Sequence, residues 1–419
     1  MEWTESKRKN RLYLLNFQEA AIRILYSAAL NSIYGFPMLY LAAKGLSYTQ
    51  IGVIASLDNF VAAVSQAVFP IILRRNRKLT IRQLILFLYS LAILFSFFLY
   101  WIPQNFWFYL LVFNLISITE YSTSSLLNSM VMEMVNKGIW VDFGKISALG
   151  SLAYGVASVF LGKLIGAYNL DILPAANIGL VGALIGSILL VKKIDFYGPV
   201  QLFTASRGKT ELQDASSSVK TFIKRYPLFM YFLIATLIIF VGTNLMSSKY
   251  APNYIMRFGG NVNEMGKVLL ATAIFEFQPG FFFDKIIKKV RIDWLLMVSA
   301  AGFIMKSILV SLATSMNLLI CAQVFQCFGY GIFVVACVYF ANAIIPDGDR
   351  IMAQGLLSGV MSIGAMIAYF IGGIILDQIG IIGLGRGSEI FCIAGGIPVV
   401  LCAVWAEKKM PEKINKIIS

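Results

Sequence analysis

Apolar residues run along this chain in long, nearly unbroken stretches, with short polar loops between them. A helix needs about 20 predominantly apolar residues to cross the hydrocarbon core of a bilayer, and about twelve of the stretches are near that length. They fall at 17–43, 48–73, 80–101, 105–135, 143–166, 172–192, 228–256, 263–288, 292–313, 316–344, 350–378 and 385–406. The pattern predicts an all-α membrane protein with twelve transmembrane helices. Composition agrees: 58% of residues are hydrophobic and 13% charged. A soluble domain of ordinary composition is about 25% charged, so lipid must cover the excess apolar surface.

One long polar segment, 193–227, divides the pattern, and it holds Arg207-Gly208-Lys209-Thr210, Glu211, Asp214 and Ser216-Ser217-Ser218. Six stretches precede it and six follow. The expected organisation is a six-helix bundle over 1–192, a cytoplasmic linker over 193–227 and a second six-helix bundle over 228–419. The halves echo each other at one place. Lys145-Ile146-Ser147-Ala148-Leu149-Gly150 opens the fifth stretch and Arg350-Ile351-Met352-Ala353-Gln354-Gly355 the eleventh, with Asp142 upstream of one and Asp347 and Asp349 upstream of the other. An acid before a helix favours its N-terminal dipole, and a glycine a turn later permits close helix contact. Gly359, Gly364, Gly372 and Gly373 continue the small residues along the eleventh stretch.

The net charge of +14 raises nucleic-acid binding as a possibility, and the placement of the charges removes it. Lys7, Arg8, Lys9 and Arg11 precede the first stretch; Arg74, Arg75, Arg77, Lys78 and Arg82 follow the second; Lys285, Lys288, Lys289 and Arg291 follow the eighth; Lys408, Lys409, Lys413 and Lys416 close the chain. These, with the basic central segment, occupy alternate loops. The other side keeps Lys44, Arg257, Lys267 and Arg386. Cationic loops stay cytoplasmic, which predicts both termini inside and contact with anionic lipid rather than nucleic acid. The first stretch lacks a small-residue cleavage site, so no cleaved signal peptide is expected. The expected location is a cell membrane, crossed many times, the cytoplasmic membrane of a bacterium.

Chemistry is expected where ionisable groups lie at membrane depth, because their burial is costly. Asp58 lies mid-way along the second stretch, Glu120 along the fourth, Glu276 in the eighth before Gln278 and Pro279, and Lys306 in the ninth. Lys249 and Asn244 mark the seventh, and Gln323 and Gln326 the tenth. Each has two readings: a pair or hydrogen bond between helices, or contact with substrate or a coupling ion in a watered cavity. An acid that alternates between apolar and ion-paired surroundings can load and release a proton. Glu276 heads that list with Lys306 as its partner, followed by Asp58 and Glu120. Glu19 and Arg23, at the end of the first stretch, are expected to snorkel. Trp101, Trp107, Tyr109, Trp294 and Trp405 sit where an interfacial belt would. The chain has no His, and Cys321, Cys327, Cys337, Cys392 and Cys402 lack metal-ligand spacing, so neither a metal site nor any other cofactor is expected.

Four segments resemble the major facilitator superfamily, and within it the proton symporters similar to lactose permease and the phenylpropionate permeases. They are Gly45–Gly52 between the first two helices; Asp142-Phe143-Gly144-Lys145 with Gly150; Gly280, Asp284 and Lys285 after the eighth helix, similar to the superfamily's gating motif; and Pro346, Asp349, Arg350 and Ala353-Gln354 before the eleventh. The resemblance implies two six-helix bundles around a central cavity. It places Asn128 where the lactose-permease type has a sugar-binding Glu, Ser147 where it has the Arg partner, Tyr154 at its aromatic platform and Gln326 near a coupling His. The loop at 70–78 has the basic run without the motif's Gly and Asp.

The expected function is secondary active transport of a small organic solute by alternating access, coupled to protons or to sodium. The alternatives are an exporter of amphipathic or cationic compounds and an uncoupled facilitator. Gly208-Lys209-Thr210 lacks the first glycine of a phosphate-binding Gly-x-x-x-x-Gly-Lys-Ser/Thr loop, where Phe203 stands, which argues against an ATP-driven pump, and no catalytic set is present, which argues against an enzyme.

Overall fold

The computed structural model describes residues 5–76, 78–101, 105–136, 143–190, 219–247, 249–346 and 349–409. These residues are helical apart from connecting turns. In chain order the helices are α1 (Glu5–Tyr34), α2 (Pro37–Ala43), α3 (Tyr48–Arg75), α4 (Ile81–Trp101), α5 (Phe106–Ile116), α6 (Thr123–Asn136), α7 (Phe143–Tyr168), α8 (Ile172–Leu190), α9 (Val219–Arg225), α10 (Pro227–Asn244), α11 (Ala251–Met256), α12 (Val262–Ile286), α13 (Ile292–Ser311), α14 (Met316–Ala322), α15 (Ile332–Ile344), α16 (Arg350–Gln378) and α17 (Gly380–Lys409). A single π-helical segment, Ser117–Tyr121, joins α5 to α6, and a second, Cys327–Gly331, precedes α15.

Ten stretches among the described residues are long and apolar enough to cross a membrane. The first and eighth predicted stretches fall short of that measure. Glu19, Arg23 and Asn31 dilute the first, which also breaks at Gly35 and restarts at Pro37. Lys267, Glu276 and Gln278 dilute the eighth. The seventh is likewise two pieces, α10 and α11. Most of the predicted linker, and the acids Asp142 and Asp347, lie outside the described residues.

Helix starts follow local side-chain chemistry. Ser47 and Gln50 form a reciprocal capping box at α3: the Ser47 amide donates to Gln50 Oε1 at 3.0 Å, and the Gln50 amide donates to Ser47 Oγ at 3.2 Å. Asn261 and Glu264 repeat this at α12, at 3.0 and 3.2 Å. Thr80 and Gln83 do so at α4. Asn105 caps α5 through the Phe108 amide, and Ser315 caps α14 through the Leu318 amide.

The chain divides into two compact units. One holds the described residues of Met1–Leu46, Leu57–Leu202 and Asn261–Ala273; the other holds those of Ser47–Ser56, Phe203–Gly260 and Ile274–Ser419. In the first, α1 packs on α7 and α8, and α4 on α8. Its core runs through Ile22, Tyr26, Ala29, Phe69, Ile85, Tyr89, Leu127 and Leu184. Gly155, Gly162 and Gly266 bring α7 and the start of α12 together: a Cβ at Gly155 would lie 2.6 Å from that of Ala273. In the second unit α10 packs on α16 and α17, and α13 on α17. Phe232, Phe240 and Phe303 surround Phe333, with centroids 5.5–6.3 Å from it, and Phe340 packs on Phe232 at 4.8 Å.

Candidate functional site

Within the second unit, Glu276 of α12, Gln326 and Lys306 of α13 form a chain. Lys306 Nζ donates to Gln326 Oε1 at 2.6 Å, and Gln326 Nε2 donates to Glu276 Oε2 at 3.3 Å. Lys306 and Gln326 are buried and Glu276 half-buried. The partnership of Glu276 with Lys306 runs through the Gln326 amide, which accepts from the cation and donates to the anion. Local sequence builds the site. Gln326 directly precedes the π-helical segment, a geometry that inserts an extra residue into a helix and re-aims what surrounds it. Gly331 lets Pro279 of α12 approach, since a Cβ there would meet Pro279 Cγ at 2.8 Å.

A second feature of this unit joins the start of α3 to α16. Asp377 accepts from the Tyr48 amide at 3.1 Å, the Thr49 amide at 2.7 Å and Thr49 Oγ1 at 2.6 Å, so a carboxylate from α16 caps α3. Gly52 and Gly373 allow the backbones to meet. Lys249 Nζ lies 4.3 Å from the Tyr369 ring centroid, a cation–π contact, and 3.5 Å from the Ala55 carbonyl. Outside the spans, the Tyr226 hydroxyl donates to Asp349 at 2.7 Å, and burial followed by that acid pushes its pKa up from the ordinary tyrosine value.

In the first unit Glu120 lies in the π-helical segment Ser117–Tyr121 with no exposed surface. Both its oxygens face Asn177 Nδ2, at 3.2 and 3.1 Å. The same amide nitrogen reaches Ser32 Oγ at 3.0 Å and the Ala29 carbonyl at 3.3 Å, while Ser96 Oγ donates to Asn177 Oδ1 at 2.8 Å. Asp58 is buried on α3, and its carbonyl accepts from Ser117 Oγ at 2.9 Å. Asn128 Oδ1 accepts from Arg23 at 3.1 Å. Tyr154 is half-buried on α7, with its carbonyl accepting from Ser158 Oγ. Ser158 Oγ in turn accepts from Asn31 Nδ2 at 2.7 Å.

Several expectations change. Glu19 does not snorkel: it is 3% exposed and lines a pocket beside Arg23 and Asn128. Tyr109 is fully buried rather than interfacial, unlike Trp107, Trp294 and Trp405, which are exposed. Gly355 and Gly359 face open space instead of a neighbouring helix, while Gly150 packs on Arg23 and Ser27. Of the gating-motif residues, the surroundings of Gly280 and the Asp284 side chain lie outside what is described, and Lys285 is exposed with its ammonium 5.7 Å from the Phe282 ring centroid. Asn177 and Asp377 escaped sequence reasoning, although Asn177 is a lone amide in an apolar run, the signal that singled out Glu120.

The arrangement is that of helices enclosing buried acids, amides and a cation, with no group of three or more metal-ligating residues among the described residues. Comparison with known proteins decides what such a bundle is. The MFS_1 like family matches residues 20–387. The chain belongs to this family. It is therefore a multi-pass membrane transporter of the major facilitator type and not an enzyme. Residues of this family member are 27% identical over 162 positions to the riboflavin transporter RibZ of Clostridioides difficile (strain 630), covering 39% of this chain and 34% of that protein. The match thus spans about a third of the length of that relative. The fold is similar to the nucleoside transporter NupG, with a TM-score of 0.77 at 14% identity over 94% of this chain and 99% of that one. It is also similar to the transporter PepTSo2, with a TM-score of 0.66 at 12% identity over 96% and 98%.

Proposed function

We propose that this protein is a secondary active transporter that moves a small organic solute by alternating access and couples that movement to protons, with Glu276 as the coupling group. The observation that carries the reading is the chain Lys306–Gln326–Glu276. A carboxylate at membrane depth is costly unless it is paired or neutralised. Here the cation reaches it only through an amide, which can rotate. When the amide bridges, Glu276 is held as an anion; when the bridge opens, a proton is the remaining way to neutralise it. Gln326 cannot carry a proton itself, and its role is to connect or disconnect the two charges.

The proposed organisation is twelve spans in two six-span halves, 1–192 and 228–419, with both termini cytoplasmic and the basic loops on that side. Matching capping boxes at Ser47–Gln50 and Asn261–Glu264 support a repeat. So do the π-helical segments, which stand at the same distance beyond the capped starts Asn105 and Ser315. Relatives named for riboflavin and for nucleosides favour solutes built on a nitrogen-containing ring.

The test is reconstitution in liposomes with a pH-sensitive dye inside and a panel of ring solutes, sugars, aromatic acids and peptides outside. Wild-type protein is expected to acidify the lumen as solute enters. Glu276→Gln is expected to abolish that acidification and retain exchange of labelled for unlabelled solute. Undiminished proton uptake by Glu276→Gln removes Glu276 from the mechanism.

A further inference from the structure

Glu19 is an acid that the chain ending at Glu276 does not use. It lies on α1 with 3% of its surface exposed, and its Oε1 has no hydrogen-bond partner among the described residues. Arg23, half-buried, follows four residues later, the helical spacing at which Glu and Arg pair. The arginine is turned elsewhere: its guanidinium donates to Asn128 Oδ1 of α6 at 3.1 Å. Two contacts keep it there. The Tyr26 ring centroid lies 5.8 Å from Arg23 Cζ, and α7 lies against the arginine stem, since a Cβ at Gly150 would come within 3.1 Å of Arg23 Cγ and Nε.

What surrounds Glu19 decides its charge. α6 contributes Leu127, Asn128 and Val131, and α7 contributes Ile146; α1 adds Ile22 and Arg23, the single charged side chain beside Glu19 there among the described residues. The space they leave has room for a water molecule and for no solute. An ionised carboxylate with a dry, unbonded oxygen among aliphatic side chains is strongly disfavoured unless a cation meets it, and a carboxyl group in that position is neutralised by taking a proton. Arg23 is the cation within reach, and Asn128 holds it. The second unit uses the same three kinds of group, acid, amide and cation, in a different order. There Gln326 bridges Lys306 to Glu276, whereas here Asn128 draws Arg23 away from Glu19.

We infer that Glu19 is a second proton site of this protein, switched by Arg23; its part in coupling rests on the transporter reading given above. While Arg23 is bonded to Asn128, Glu19 carries a proton and is neutral. When α6 shifts against α1 and the Arg23–Asn128 bond opens, Arg23 pairs with Glu19, the O–H bond of the carboxyl breaks, and the proton passes to water at the start of the span. Carboxylate and guanidinium then neutralise each other. Closing the Arg23–Asn128 bond reverses the step, and the carboxylate takes a proton back. Movement of one helix against another is thereby converted into binding and release of one proton, without a His, a residue this chain lacks.

The test uses the full-length protein in lipid nanodiscs and reads the infrared carbonyl band of protonated carboxyl groups, which a carboxylate does not give. Glu19→Gln is expected to remove one such band from the wild-type spectrum with little change in melting temperature, because a neutral acid gives way to a neutral amide of the same shape. Asn128→Leu, which frees Arg23 and leaves Glu19 in place, is expected to remove the same band, and it supplies the answer if Glu19→Gln does not fold. A merely structural role for Glu19 would not make its protonation depend on Asn128. In the liposome assay with the same panel of solutes, Glu19→Gln is expected to move about half as many protons per solute as wild type, as two acids carrying one proton each would require. Glu276→Gln stops the net cycle and with it both protons. The inference is overturned if Glu19→Gln removes no band, if Asn128→Leu keeps that band, or if protons per solute do not fall in Glu19→Gln. Proton movement that depends on Glu276 and ignores Glu19 would overturn this site and leave the transport reading standing. No proton-coupled uptake of any solute, with the band still governed by Glu19 and Asn128, would overturn the coupling assigned to Glu276 and leave the proton switch.

Discussion

At the scale of single residues, Glu120 and Glu276, two acids at membrane depth, are each held by an amide. Asn177 shows the logic. Its amide has two N–H bonds, and four oxygens lie within 3.3 Å of its nitrogen: both of Glu120, Ser32 Oγ and the Ala29 carbonyl. Ser32 Oγ relieves part of the demand by donating to the Ala29 carbonyl at 2.6 Å. Removing the amide strands a fully buried acid. Asn177→Ala is expected to lower stability by about 1–3 kcal/mol, the cost of leaving a buried polar group unsatisfied. Glu120→Gln, which swaps an anion for a neutral group of the same shape, is expected to cost less. Thermal melts of the purified variants in one detergent compare them; an Asn177→Ala melt equal to wild type would show that Glu120 is satisfied some other way. Glu120, Glu276, Lys306 and Asp58 were legible as single letters out of place in apolar runs. Their partners were not, because Asn177 reaches Glu120, and Gln326 reaches Glu276 and Lys306, from other elements of the chain, and no spacing rule connects residues on different helices.

At the scale of elements, helix starts were written locally and helix interiors were not. Ser47-x-x-Gln50, Thr80-x-x-Gln83 and Asn261-x-x-Glu264 are capping boxes that a reader of the sequence can find, and each opens the helix it should. The two π-helical segments carry no comparable signal. Glycines divide the same way: whether one is a packing contact depends on the helix opposite. Gly302 of α13 faces the backbone of the second π-helical segment, where a Cβ would lie 2.5 Å from the Gly329 nitrogen, whereas Gly359 of α16 has nothing within 4 Å. Gly302→Ala is expected to destabilise by about 1–3 kcal/mol through overpacking. Gly359→Ala is expected to stabilise by about 0.5–1 kcal/mol, since it removes a flexible residue from a helix interior at no steric cost. Melting temperatures that fall equally for both would show that contact geometry is not what separates them. Asp377 belongs to this scale too, because it caps α3 from α16. Asp377→Ala is expected to cost about 0.5–2 kcal/mol, like the loss of other caps, with Asp377→Asn recovering part of it.

At the scale of the whole molecule, the arrangement of charge makes a topological prediction. Arg225, on the basic side, and Asp171, on the other, have side chains 63% and 65% exposed, so both are accessible to reagents in water. In a variant without the native cysteines, Arg225→Cys is expected to resist a membrane-impermeant maleimide on intact cells and to react after permeabilisation, and Asp171→Cys to react in both. The opposite pattern would invert the proposed orientation. Membrane residence, helical class and the approximate span positions need only the order of residues, because a bilayer demands apolar length and internally satisfied backbone whatever the helices pack against. Which acids are bridged, which glycines touch and which carboxylate faces a pocket are properties of neighbouring helices. The reversal at Glu19 is the plainest case: one turn from Arg23 near the start of a span it reads as a surface pair, and only the packing of α6 and α7 beside α1 turns it inward, because side-chain environment is set by what folds over a residue and not by what precedes it in the chain.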